Sequence, residues 1–192
     1  YRTVFRSVRQ DIRCARSKEA NEKALDILNR GIDSLGFFIP SGDVSAEYVE
    51  TLLEGIYVEC VELNFITCQK KSLELAKILV EYFKKKGADP QKVEGSISFD
   101  PIEKILTKGK DKSALLANAK EMVETLAEWP NFRASAVNAY KLTNAGAYSY
   151  QDLGYALAWG NEYMAALTEA GVAAELAAQN IKFNLGINGV YF

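Results

Sequence analysis

Residues 135–171 read SAVNAYKLTNAGAYSYQDLGYALAWGNEYMAALTEAG, followed by VAAELAAQN (172–180) and IKFNLGINGVYF (181–192). The apolar run from Arg133 to Ala139 has the length and content of a buried strand. A small-residue loop, Ala145-Gly146-Ala147, comes next, then an apolar-periodic helix from Tyr148 to Ala170, a short helix, and a strand from Ile181 to Leu185. Strand, long helix, strand is the βαβ unit of a parallel sheet, since parallel neighbours need a crossover of a dozen residues or more.

The same alternation runs through the rest of the chain. Strands are expected at Thr3 to Ile12, Ser34 to Ile39, Val58 to Ile66 and Val93 to Phe99. Helices are expected between them. Lys18 to Asn29 places Ala20, Ala24, Leu25, Ile27 and Leu28 on one broad stripe, and Gly31 suits its C-terminal cap. Ser45 caps a short helix carrying Tyr48, Val49, Leu52 and Leu53. In Ser72 to Lys86, Leu73, Leu75, Ala76, Ile78, Leu79 and Phe83 are expected to face inward, and Lys84-Lys85-Lys86 balance the dipole at its end. Lys112 to Glu128 is the fourth helix in chain order. That makes six βα units without a Pro/Gly/Ser linker, read as one domain over residues 1–192. A closed eight-fold barrel takes about 250 residues, so the fold class expected is a (β/α) barrel truncated to about six units. An open doubly wound sheet is the alternative, weakened because Ile12-Arg13-Cys14-Ala15-Arg16-Ser17 holds no glycine-rich phosphate turn.

The strands carry an unusual filling. Barrel interiors are normally packed with branched apolar side chains. Here one phase is polar: Ser7, Arg9 and Asp11; Glu62 and Asn64; Ser96 and Ser98; Lys182 and Asn184. Buried polar groups need partners, so this phase is expected to face an axis threaded by water or a polar ligand. The competing reading is a solvated sheet face.

Composition excludes several functions. With 48% apolar residues and a net charge of −2, the chain has the make-up of a globular domain and no electrostatic case for nucleic acid. No run reaches the ~20 apolar residues of a membrane span. The chain opens at Tyr1, as a piece of a longer polypeptide would. Cys14, Cys60 and Cys68 are odd in number, lack CxxC spacing and have no histidine to join them, so no zinc pattern exists. They read as buried reduced thiols of a cytoplasmic protein. Asp11, Glu59 and Glu62 have no metal-ligand spacing, and no metal is expected.

Several of these segments resemble the substrate barrel of the cobalamin-dependent acyl-CoA mutases. Val8-Arg9-Gln10 is similar to the Ile-Arg-Gln of their first strand. The run Ala24-Leu25-Asp26-Ile27-Leu28-Asn29-Arg30-Gly31, with Ser34-Leu35-Gly36-Phe37, resembles their next helix and strand. Gly95-Ser96-Ile97-Ser98-Phe99-Asp100 stands where they have Gly-Thr-Ile-Gln-Asn-Asp. The last quarter, with Ala145-Gly146-Ala147, is the nearest match. The resemblance implies a barrel lined by small polar residues because the pantetheine arm of coenzyme A runs along its axis.

The departures fall on working positions. The resemblance implies a tyrosine beside the radical centre where this chain has Asp11, a glutamine where it has Ser98, and a histidine at the thioester carbonyl where it has Lys141. An aspartate offers no ring, a serine lacks a glutamine's reach, and a lysine differs in length, charge and geometry. The three replacements together are similar to those in the small, non-catalytic subunits of two-subunit methylmalonyl-CoA mutases. The resemblance thus implies no catalytic residues in this chain, with Arg9 and Ser96 as remnant substrate contacts. It implies a large catalytic partner subunit in a heterodimer, adenosylcobalamin held by that partner, and a cobalamin-binding domain outside these residues. Two alternatives stay open: an acyl-CoA mutase fragment that still binds coenzyme A, and an unrelated α/β-barrel enzyme with a phosphorylated substrate.

Arg2, Arg6, Arg9, Arg13 and Arg16 form a basic run that reads as solvated or subunit-contacting arginines, the alternative being a fork onto coenzyme A phosphates. Thr107-Lys108-Gly109-Lys110-Asp111-Lys112 lacks the earlier glycine of a phosphate loop and reads as a surface turn. The Tyr148–Ala170 helix is apolar on more than one face, through Leu153, Leu157, Met164 and Leu167 and through Tyr155, Ala158, Trp159 and Ala166. Either a neighbouring helix or another subunit is expected to cover the extra face, and with Ile181 to Phe192 the helix is a candidate for part of the subunit contact, centred on Trp159, or for what the missing units would cover.

Overall fold

A computed structural model describes residues 7–109 and 112–186. The elements are β1 (Arg9–Arg13), α1 (Ser17–Asn29), β2 (Ser34–Phe38), α2 (Ala46–Leu52), β3 (Glu62–Ile66), α3 (Gln69–Lys85), β4 (Gly95–Phe99), α4 (Pro101–Lys108), α5 (Lys112–Thr125), β5 (Phe132–Val137), α6 (Tyr140–Asn144), α7 (Ser149–Glu169), α8 (Ala174–Gln179) and β6 (Ile181–Phe183). The strands follow one another in chain order. The fold is α/β: among the described residues six strands alternate with helices, as in part of a (β/α) barrel. The chain packs as two compact units, Tyr1–Ser98 with Glu128–Phe132, and Phe99–Ala127 with Arg133–Phe192.

In the first unit the register aligns Asp11 with Gly36, Gly36 with Asn64, and Asn64 with Ser96. Side chains alternate along a strand, so this register sorts two faces. One carries Leu35, Phe37, Leu63, Phe65 and Ile97, all buried beneath the helices. Of the residues expected inward on α3, Leu75, Ala76, Leu79 and Phe83 are buried, while Leu73 and Ile78 are only partly so. Rings join the layers: Phe37 stacks on Phe65 at 5.6 Å between centroids, and Phe83 meets Phe132 at 5.7 Å and Trp129 at 5.1 Å. Each fully buried ring or branched side chain contributes about 1.5–3 kcal/mol. The other face is the polar one.

The caps follow local chemistry. The Ser45 hydroxyl accepts from Tyr48 N at 3.2 Å. Gly31, at φ +90°, closes α1 in the left-handed conformation expected of it. α4 is an element absent from the sequence reading. Its signal is Asp100-Pro101: the carboxylate accepts from Glu103 N at 3.2 Å, and proline fits the first turn, where no N–H is needed.

In the second unit, β5 pairs with β6 through Ser135 with Ile181 and Val137 with Phe183. Val137, Ala139, Ile102, Ala156, Trp159 and Tyr163 form the core. Gly160 admits the Phe183 ring, which lies 2.6 Å from where a Cβ would stand. Three expectations need correction here. β5 stops at Val137, and Tyr140 to Asn144 turns into a short helix, so Lys141 stands on a helix and not at a strand end. Trp159 is 6% exposed and belongs to the core, so it cannot centre a contact surface. Cys60 and Cys68 are exposed; only Cys14 is a buried thiol. Arg2 and Arg6, the start of the first expected strand, Lys110 with Asp111, and the tail 187–192 lie outside the described residues.

Candidate functional site

The polar strand phase of the first unit forms a linked ladder. Ser96 Oγ donates to Asn64 Oδ1 at 2.6 Å, and Asn64 Nδ2 donates to Ser34 Oγ at 3.2 Å. All three residues are buried. Satisfying each other lets three polar side chains stay away from water without the penalty of unpaired groups. Ser34 was not among the residues singled out, yet its place opposite Glu62 and two residues before Gly36 puts it on this face.

Arg9 and Asp11 sit beside this ladder. Arg9 Nε donates to Asp11 Oδ1 at 2.7 Å, in a half-exposed pair. The pair occupies the space that Gly36 leaves: a Cβ there would stand 1.8 Å from Asp11 Oδ1 and 2.8 Å from Arg9 Nε. Two of the expected positions, Arg9 and Asp11, are thus brought together. Ser98 lies two residues along β4 from Ser96, in the same phase, and is half-buried.

Lys141 belongs to the second unit. Its Nζ is 2.5 Å from Glu103 Oε1, and it lies 6.0 Å from the centre of the Tyr140 ring. The carboxylate takes one of the three N–H donors of the Lys141 ammonium. The same unit holds a polar cluster that the sequence reading missed. Asp100 is buried and accepts from Tyr163 Oη at 2.8 Å, Asn138 N at 3.1 Å and Asn138 Nδ2 at 2.9 Å, besides its capping bond. Asn184 Nδ2 donates to Asn138 Oδ1 at 2.9 Å. Burial pushes the Asp100 carboxyl up to about 6 in spite of its donors. Burial, and the Asp100 charge beside it, drive the Tyr163 hydroxyl far above its ordinary value. The signal for this cluster was the Asp-Pro step with Asn138 just past an apolar strand.

These residues do not fit a cobalamin site. The chain has no histidine to coordinate cobalt. The first-strand position holds a carboxylate paired with Arg9, and Lys141 is paired with Glu103.

Residues 44–192 match the methylmalonyl-CoA mutase family. The methylmalonyl-CoA mutase small subunit of Porphyromonas gingivalis is 44% identical over 186 residues, covering 96% of this chain and 30% of that protein. The small subunit of Streptomyces virginiae is 28% identical over 186 residues, with the same coverage. The large subunit of Streptomyces virginiae is 23% identical over 145 residues, covering 73% of this chain and 20% of that protein. The chain spans about 30% of the length of the small subunits it matches. With a family match over residues 44–192 and a relative 44% identical over 96% of its length, this chain belongs to the methylmalonyl-CoA mutase family.

Proposed function

We propose that this chain is the barrel part of the small subunit of an adenosylcobalamin-dependent methylmalonyl-CoA mutase, structural and not catalytic. Its 192 residues form one partial barrel domain. Its partner is the large subunit, which holds the cobalamin and interconverts succinyl-CoA and methylmalonyl-CoA by radical rearrangement in the cytoplasm. The observation that carries this reading is the Arg9–Asp11 pair folded over Gly36. It puts a neutralised ion pair where an active barrel needs a ring and a free arginine. Asp11, Ser98 and Lys141 therefore have no part in bond making, while the Ser34–Asn64–Ser96 ladder keeps the polar face ordered without a ligand.

The test is co-expression of the full small and large subunits. The two should co-purify in equal amounts and turn over methylmalonyl-CoA, while the small subunit alone shows no turnover with added adenosylcobalamin. Lys141→Ala should leave the pairing intact. Turnover by the isolated small subunit refutes the reading.

A further inference from the structure

The C-terminal ends of β1, β2 and β3 frame a basin of about 380 Å³ within the first unit. Arg13, Phe38 and Ile66 are register partners across these strands, one level beyond Asp11, Gly36 and Asn64. Ile39, Pro40 and Thr67 continue the wall. The volume lies in the range of small-molecule sites, and the carboxyl ends of parallel strands are where α/β folds place them.

The wall is mostly apolar. Phe38 turns an exposed face to it, 40% accessible, although aromatic side chains normally bury most of their surface. Among the described residues of the wall the one cation is Arg13. Its side chain is exposed and makes no ion pair or hydrogen bond among the described residues, unlike Arg9 and Arg16, which are paired with Asp11 and Glu19. Among the described residues no carboxylate lines the basin. The Cys14 thiol in its wall stays neutral, because burial pushes it up to about 12. Thr67, in the same wall, has a hydroxyl without a partner. A single unneutralised cation beside an apolar floor complements an anion that carries a hydrocarbon body.

We propose that this basin binds a small amphipathic anion, its carboxylate or phosphate head on Arg13 and its short hydrocarbon body against Phe38, Ile39 and Ile66. The site is separate from the Arg9–Asp11 pair and does not depend on the subunit reading.

The test is a titration of the full chain with hexanoate, hexyl phosphate and hexanol, followed by backbone amide NMR shifts. At least one anion should shift the amides of Cys14, Phe38, Ile39 and Thr67, with a Kd of about 1–10 mM, the range open to so small a ligand. Hexanol should bind at least about tenfold more weakly, and Arg13→Gln should weaken the anion by about tenfold without changing the melting temperature, as expected for a lost charge-assisted contact. Response to hexanoate alone or to hexyl phosphate alone assigns the head group. Absence of shifts up to roughly 20 mM of either anion, equal binding of hexanol, or an unchanged Kd in Arg13→Gln overturns the proposal.

Discussion

The stability of this chain should fall as pH rises from about 4 to about 6, and Asp100 should be the reason. Its ordinary pKa of 3.8 is raised to about 6 in the folded state. In that window the folded protein binds a proton that the unfolded chain does not, so the contribution is fully present below the unfolded value and is lost as pH passes the folded one. Two pKa units at 1.36 kcal/mol each put the loss on the order of 3 kcal/mol. That is a large fraction of the 5–15 kcal/mol that holds a typical domain together. Asp100→Asn removes the ionisation. It also turns an amide N–H₂ toward one set of donors, either Tyr163 Oη and Glu103 N or the two Asn138 groups, at about 1–3 kcal/mol. The variant should therefore be less stable than the parent near pH 4 and about equal to it near pH 7. Urea unfolding followed by circular dichroism at half-unit pH steps gives both curves. Their difference should change by about 3 kcal/mol in favour of the variant between pH 4 and pH 7. A difference that stays flat, or that moves against the variant as pH rises, refutes the reasoning, because it means that the four donors outweigh burial.

Two substitutions contrast sites that look alike in sequence. Gly95→Ala sets a Cβ 1.9 Å from the Leu63 carbonyl oxygen, a backbone atom that cannot swing aside, whereas at Gly36 the clash is with the ends of the Asp11 and Arg9 side chains. Gly95→Ala should cost about 3 kcal/mol or more and Gly36→Ala under about 1 kcal/mol, read from urea midpoints. On α7, Trp159→Glu should unfold the second unit, since it buries a charge and empties a ring site, at about 3–5 kcal/mol. Leu157→Glu, at a position 58% exposed, should shift the melting temperature by no more than a degree or two and, in the co-expressed pair, is the variant to examine for lost subunit association.

Much of the fold was legible because period and punctuation agree. β2, β4 and α1 come within one or two residues of their expected bounds, where apolar alternation, a helical stripe and Gly31 all point the same way. The polar phase was legible too, since alternation alone places Arg9, Asp11, Asn64 and Ser96 on one face. What alternation cannot show is how those side chains spend their charge. Sequence order separates Arg9 from Asp11 by one residue, and only the missing side chain at Gly36, on the next strand, makes room for the pair to close. The α7 misreading has the same root. A helix written with Leu153, Tyr155, Leu157, Trp159 and Tyr163 offers several apolar stripes of similar strength, and composition does not say which one is buried. The choice is made by Gly160, which lets Phe183 approach, and by the Asp100 carboxylate, which needs the Tyr163 hydroxyl. Once those two contacts fix the rotation of the helix, Trp159 must go inward, and Leu153, Tyr155 and Leu157 are left facing solvent.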